Sequence, residues 1–437
     1  MATCMLLSLP TSGQDISIDS EHFPDENFRN YLLEQSYGQD GVLTEEEISG
    51  IIEIDVSLRQ IRTLKGIEFF TELKTLICIT NQLTSLDVSQ NTALTTLGCG
   101  SNQLTTLDVS QNTALTTLDC DSNLLMSLDV SHNTALTGLW CYNCQLTSLD
   151  VSQNVALTLL SCSDNQLTNL DVSQNVALTL LNCSDNQLKS LNVSQNSALY
   201  YLTCDENQLI SLDVSGCTAL TELRCGSNLL TSLDVSGCTA LISLSCNNNQ
   251  LANLDVSGCT TLMSLNCNNN QLISLDVSKC VSLSHIYCVY NQLMSLDVSN
   301  NTELRYLHVY LNQIKGESMD ALVNSLPQKI ATNIICQIYV YVADGNYDYS
   351  DGNVCTKTQV EVIKAKGWTP YYYNSVIDKW VEYEGSDNDP DGIGAVHTNM
   401  EGKNVIYTIN GTRLNTTNVS DLPKGVYIIN GKKVILK

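Results

Sequence analysis

The sequence predicts a repeat solenoid: an α/β chain that is mostly β, with short helices kept to its ends and a small β module at the C-terminus. Three observations predict it. A 21-residue unit, LTTLGCGSNQLTTLDVSQNTA from Leu94, recurs with little change, and a fixed period in the twenties marks a stacked array. Cysteine holds the same register at Cys78, Cys99, Cys120, Cys141, Cys162, Cys183, Cys204, Cys225, Cys246, Cys267 and Cys288. In Thr96-Leu97-Gly98-Cys99-Gly100 apolar residues alternate with small ones, as in a half-buried strand.

One such strand cannot bury its Leu/Cys side alone, whereas stacked copies make a continuous core. Units opening at Leu73 and Leu304 fit the same frame, giving twelve copies to about Ser325. The second half of each unit (Leu104, Leu107, Val109) adds inward positions but lacks the run of helical period that a helix needs. It is expected to be extended or 3₁₀. At the usual strand spacing, such an array makes a sheet roughly 55–60 Å along its arc.

The pattern L-x-x-L-x-C-x-x-N-Q-L, with Leu94, Leu97, Cys99, Asn102 and Leu104 at the defining positions, resembles a leucine-rich repeat. Cysteine in place of leucine, in a 21-residue unit, is similar to the cysteine-ladder variant among the internalins. The resemblance implies a right-handed, horseshoe-shaped coil with one short strand per turn. It also implies a concave face that binds a partner.

Three further ladders read as structural. Asp87, Asp108, Asp129, Asp150, Asp171, Asp213, Asp234, Asp255, Asp276 and Asp297 fill one position of the L-D-V-S turn, with Asn192 the exception. An Asp-x-Ser there caps backbone N–H groups. A calcium-binding ladder is the alternative, but the glycine-rich nonapeptide of calcium-binding β-rolls is missing. An asparagine closes each strand (Asn81, Asn102, Asn123, Asn165 and onward to Asn312), and Cys144 breaks the series, so one rung should be lost. A second asparagine series (Asn112, Asn133, Asn154, Asn175, Asn196) gives way to Cys217, Cys238, Cys259 and Cys280. In-register strands set successive Cβ atoms about 4.8 Å apart, beyond disulfide reach, so the cysteine ladders are expected to stay reduced and inert. A line of thiols offers no tetrahedral metal geometry either.

Taken in order, residues 1–14 have a short apolar run without a basic start and read as a signal-peptide remnant or disordered terminus. Residues 15–50 form an N-terminal cap. FPDENFRNYLLEQ has helical spacing with Phe23, Phe28, Tyr31 and Leu32 on one face. SYGQDGVLTEEE looks like an EF-hand loop, yet Ser36 and Gly38 stand where two aspartates should be, leaving Asp40 and Glu47 and arguing against calcium. The solenoid runs over 51–326, opening with a degenerate turn one residue longer (Ile51, Ile54, Val56, Ile61). ESMDALVNSLP reads as a short helix capped by its Glu/Ser start, and 327–385 as modified βα turns that cap the C-terminal end. Residues 386–395 are a linker. Residues 396–437 carry strands with Asn-Gly turns at Asn410-Gly411 and Asn430-Gly431. At IYTINGTRL and LPKGVYIINGKKVILK this tail resembles the C-terminal sorting domains of secreted Bacteroidetes proteins, which implies export and surface attachment or release.

The formal charge of −25 argues against nucleic acid and anionic membranes. No stretch is apolar for long enough to make a transmembrane helix. Chemistry belongs on the outward strand positions, which the repeat leaves free. Two aromatic groups stand out there: Trp140 and Tyr142, with Tyr201 farther along, and then His285, Tyr287, Tyr290, Tyr306, His308 and Tyr310. Tyr and Trp supply contact area with a polar handle, which suits protein or sugar contacts. For Tyr306, His308 and Tyr310, shielding of the array's end is an equal alternative. Carboxylate pairs (Asp119/Asp121, Asp205/Glu222) exist, but no nucleophile, phosphate-loop or zinc pattern does. The expectation is a monomeric, secreted or cell-surface binding protein for a protein or glycan on a host or neighbouring cell. It is expected to use no cofactor, metal or catalytic residue. A ligand-free spacer is the alternative, and a glycan-processing enzyme a distant third.

Overall fold

The computed structural model describes residues 15–329, 335–342, 351–374, 377–387, 406–408, 414, 422–429 and 432–436. It is a mostly-β solenoid of about 12 turns with few short helices. The chain divides into two compact units between Gln250 and Leu251. The expected leader remnant, most of the linker and both Asn-Gly turns lie outside the described residues.

The first unit opens with β1 (Ile16–Ser17), α1 (Glu26–Glu34), β2 (Val42–Leu43) and α2 (Glu45–Gly50). Phe23, Phe28 and Leu32 are fully buried and Tyr31 nearly so, the helical face expected from their spacing. Asp25 caps α1: its Oδ1 accepts from the N–H of Asn27 and Phe28. Its Oδ2 accepts from Arg62 N at 2.8 Å, tying the cap to the first solenoid turn. Both carboxylates left in the EF-hand-like loop serve the backbone. Asp40 accepts from Val42 N, and Glu47 accepts from Thr44 N and Oγ1 in a capping box.

The strands follow as β3 (Glu53–Asp55), β4 (Thr75–Ile77), β5 (Thr96–Gly98), β6 (Thr117–Asp119), β7 (Gly138–Trp140), β8 (Leu159–Ser161) and β9 (Leu180–Asn182). Then come β10 (Leu191–Asn192), β11 (Tyr201–Thr203), β12 (Leu212–Asp213), β13 (Glu222–Arg224) and β14 (Ser243–Ser245). All but β10 and β12 belong to one parallel sheet; from β4 onward each residue pairs with the one 21 positions on, and Glu53 with Thr75 in the longer opening turn. The side of the turn opposite this sheet mixes extended chain with tight turns, as its missing helical period requires. It carries a β10–β12 ladder, isolated bridges such as Asp87 to Asp108, and 3₁₀-type turns in which Asn91 N donates to Val88 O and Leu94 N to Asn91 O.

In the second unit β15 (Ser264–Asn266), β16 (His285–Tyr287) and β17 (Tyr306–His308) pair in parallel with the same 21-residue offset. They are followed by α3 (Glu317–Ser325), β18 (Gln337–Val342), α4 (Lys357–Ala365), β19 (Thr369–Asn374) and β20 (Lys379–Glu382). Strands β18 and β19 add on parallel, and β20 turns back antiparallel. The C-terminal block thus lengthens the sheet as well as ending it. The cap of α3 differs from the expected one. Its N-cap is Gly316 with no side-chain bond, because Glu317 and Ser318 already lie inside the helix. β21 (Ile406–Thr408), β22 (Gly425–Ile429) and β23 (Lys432–Leu436) form a three-stranded antiparallel sheet.

Hydrogen bonds explain the ladders. Asn165 is typical of the strand-closing series. Its amide donates to the carbonyls of Cys141, Cys162 and Ser163, and its Oδ1 accepts from Leu146 N at 2.9 Å. It stabilises the turn in which the preceding residue, Asp164, is left-handed at φ 53°. At Cys144 this rung is lost: the thiol donates only to Cys120 O, at 3.5 Å. The aspartate ladder caps its own turn, as with Asp150 Oδ1 accepting from Ser152 N at 2.9 Å.

The second asparagine series differs. Asn154 donates to Val130 and Asn133 carbonyls, but its Oδ1 has no partner within the chain, and the same is true of Asn91, Asn112, Asn133, Asn175, Asn196 and Asn301. A buried acceptor left unpaired costs about 1–3 kcal/mol. Cysteine at this position keeps one bond (Cys238 Sγ to Val214 O, 3.4 Å) and removes the orphan oxygen.

All eighteen cysteines among the described residues are buried thiols outside any disulfide, Cys336 and Cys355 included. Burial pushes the thiols of Cys162 and Cys288 up to about 12, which keeps them protonated. Thiol titration with an aromatic disulfide is expected to give almost no reaction in the native chain. Full reaction should follow denaturant at the rate of unfolding. Rapid labelling of several thiols before unfolding would contradict the inert ladder.

Candidate functional site

The sheet register decides which outward residues become neighbours. In the first unit Gly98, Asp119 and Trp140 are paired across β5, β6 and β7. One step beyond the strands, Ser101 N donates to Asp121 O and Ser122 N to Tyr142 O, so Gly100, Asp121 and Tyr142 form a second row. The result is a shelf of glycine, a middle of carboxyls and a wall of aromatics. Trp140 folds over Gly138, where an added Cβ would lie 2.7 Å from the ring.

Asp121 is not the outward group its position suggested. It is only 6% exposed, because its carboxyl lies over Gly100, where any side chain would collide with it. Burial, and then the hydrogen bond to Asp121, pushes the Asp119 carboxyl up to about 7. Burial and the neighbouring Asp121 charge likewise raise the Tyr142 phenol. The pair therefore holds a proton near neutrality and can donate and accept side by side. Tyr201 lies on β11, with β8 and β9 between it and Trp140, so it is not part of this group. The other acid pair does not assemble. Glu222 is bonded to Arg224 Nε at 2.7 Å, and Asp205 accepts from Gly226 N.

In the second unit the aromatic residues are in contact. His285 stacks on its register partner Tyr306, 4.7 Å between centroids and 13° between planes. Beside them runs a row through four strands: Tyr287 to His308 (4.8 Å), His308 to Tyr339 (4.0 Å) and Tyr339 to Tyr371 (5.1 Å). Strand spacing of about 4.8 Å equals a stacking distance, so in-register aromatics line up without bending the sheet. Trp380 on β20 closes the row. It sits edge-on to Tyr339 at 4.8 Å, and 4.9 Å from Tyr310. These rings are half-buried, and each packs against its neighbours along the row.

Tyr290 follows β16 at φ 53° and donates its N–H to Tyr310 O. Most equivalent turns carry Ser, Asn or Asp in this left-handed position, which a bulky residue occupies only at a cost in strain. Burial, followed by the neighbouring His285, lowers His308 to about 4. Burial and Arg305 lower His285 too. Near neutral pH the row is an uncharged π surface.

Tyr339, Tyr371, Tyr373 and Trp380 were absent from the sequence reading, which assigned their segments to the cap. The signal was the alternation in CQIYVYV. Once β18 is placed in register with β17, Tyr339 falls beside His308.

No family model matches the chain. Over 82 residues it is 40% identical to internalin J of Listeria monocytogenes, a stretch covering 18% of this chain and only 9% of that protein. The solved functional domain of internalin J from Listeria monocytogenes, which includes a cysteine ladder, is 35% identical, covers 76% of this chain and 82% of its own, and superposes with a TM-score of 0.56. A second Listeria monocytogenes internalin, InlF, is 25% identical over 71% of this chain and 94% of its own, with a TM-score of 0.64. A leucine-rich-repeat protein of Leptospira interrogans, at 21% identity and a TM-score of 0.58 over 74% of this chain and 95% of its own, shares the fold. With the repeat, the free thiol ladder and the match to the internalin J domain together, the chain belongs to the internalin-like leucine-rich-repeat proteins.

Proposed function

We propose that this chain is an exported adhesion protein that binds a partner protein on the outward face of its sheet. The observation that carries the reading is the aromatic row from Tyr287 through His308, Tyr339 and Tyr371 to Trp380. A spacer has no use for rings lined up on its solvent side, and Tyr290, which follows β16, is held in a left-handed conformation that costs strain. Uncharged aromatic surface of this kind is what interface hot spots are made of. The partner would be a protein on a host or neighbouring cell, met by a monomer. The three strands β21–β23 would serve as the sorting module that directs export. No described helix is long and apolar enough to cross a membrane.

Trp140 favours a second reading for the first unit. An aromatic wall beside a proton-sharing acid pair suits a sugar ring: the indole stacks and the half-buried Asp119 carboxyl bonds hydroxyls.

The test is binding of the full chain to arrayed extracellular proteins and glycans, with three variants alongside. Tyr339→Ala/Trp380→Ala should abolish a protein hit, and Trp140→Ala should abolish only a glycan hit. Asp119→Asn should weaken the glycan hit without touching the protein one. Hits that survive all three variants would remove both faces from consideration. No hit at all would leave the spacer reading standing.

A further inference from the structure

We propose that the cavity walled by Tyr341, Tyr372 and Tyr383 in the second unit is a binding site for an organic ammonium group, such as a lysine side chain or a trimethylammonium. The site is separate from the aromatic row and does not depend on it. The cavity has a volume of about 540 Å³, within the roughly 300–1,000 Å³ of small-ligand sites. Among the described residues its walls carry three tyrosine rings, the carboxyls of Asp351, Glu382 and Glu384, and no lysine or arginine.

A register shift builds it. β18 and β19 pair regularly as far as Tyr339 and Tyr371, and after the shift Tyr341 faces Tyr372. The unpaired residue is Val340 of β18, and skipping it sets Tyr341 opposite Tyr372, which follows Tyr371 directly in β19; bulges beside sites re-aim side chains in this way. Tyr383 completes the corner, with its ring 5.9 Å from Tyr341 at 27° and 5.4 Å from Tyr372 at 53°. Its hydroxyl donates to Cys355 O at 3.2 Å, so the ring is held. Asp351 is held as well, its two oxygens accepting from Val342 N and Asn353 N at 2.9 Å each.

The chemistry follows from charge and faces. Lys364 of α4 lies 2.9 Å from Glu382 and 3.5 Å from Glu384, and Lys357, whose N–H donates to Ser386 O, is paired with Asp387 outside the lining. Three carboxyls against one ammonium leave the site negative, which excludes anions and gives a neutral sugar no advantage. Ring faces set at an angle around negative charge are the environment an ammonium group prefers, through the ring quadrupole and direct attraction together.

The experiment uses the full chain and choline as the probe. Its neutral carbon isostere, with a tert-butyl group for the trimethylammonium, and lysine amide run beside it. Binding is read by ligand-observed NMR and calorimetry. Choline or lysine amide is expected to bind at least ~10-fold more tightly than the isostere, since only the cation gains from the ring faces. Glu384→Gln, at an exposed position, should weaken the ammonium probes and leave the isostere unchanged. Tyr372→Leu keeps apolar bulk and should erase the preference for charge; its melting curve checks that it folds. Equal binding of choline and the isostere would show a plain apolar cavity and overturn the proposal. Failure of both ammonium probes to bind at tens of millimolar would overturn it too.

Discussion

Replacing Asn186 by alanine is expected to cost about 2–4 kcal/mol, the loss of one fully used buried amide. Asn186 donates to the carbonyls of Cys162, Cys183 and Ser184 and accepts from Leu167 N. The carbonyls keep a partner each, because Asn165 also reaches Cys162 O, Asn207 reaches Cys183 O, and Asp164 N donates to Ser184 O. Leu167 N loses the acceptor Asn186 supplies, and that orphan donor carries most of the cost. The reverse change is available at the broken rung. Cys144→Asn restores an acceptor for Leu125 N and donors for the carbonyls around it, and should stabilise by about 1 kcal/mol. Denaturant titration of both variants checks the pair. If Asn186→Ala melts like the parent, the ladder is ornament and not support.

Gly66→Ala is expected to destabilise the first unit by roughly 2–4 kcal/mol. Two effects add. Gly66 has φ +104°, a conformation that an L side chain rarely adopts. Its missing Cβ also faces Phe23, where it would lie 2.6 Å from Cε1, and 2.8 Å from His22 O. Phe23 is fully buried and packs edge-on against Phe28 and Phe69, so it has nowhere to move. The damage should stay near the N-terminus, since each turn of a solenoid touches only its neighbours. Hydrogen exchange should show protection lost in α1 and β3 and kept around β9. A variant with parental protection in α1 would show that the cap does not depend on this contact.

The repeat was legible because its period and its chemistry agree. Leu97, Cys99 and Leu104 are inward by alternation, and all three are fully buried. Phe23, Phe28, Tyr31 and Leu32 declared the cap helix by spacing alone. Alternation tells which side of a strand a residue takes, but not what shades it there. Asp121 is on the outward side and still buried, because the neighbouring Gly100 has no side chain to hold it up. The aromatic row was half legible for a related reason. His285 through Tyr310 sit inside the 21-residue frame, whereas Tyr339 and Trp380 lie beyond it, where register comes from hydrogen bonding and not from sequence period. The tyrosine corner depends on a bulge at Val340, and nothing in the alternating run IYVYV marks where a strand will slip.

The strict pairing of each residue with the one 21 positions later makes the array editable in whole steps. Cutting any complete unit from among the near-identical turns of the first unit brings together two edges that already match. Leucine meets leucine, thiol meets thiol, and each asparagine finds a carbonyl at its usual distance. A single added residue has to be absorbed within its own turn, as in the longer opening turn, where Glu53 pairs with Thr75. Length in such a chain therefore changes in quanta of one strand spacing, about 4.8 Å. A gene that gains or loses repeats by recombination yields a longer or shorter array in one event, with no new core to invent.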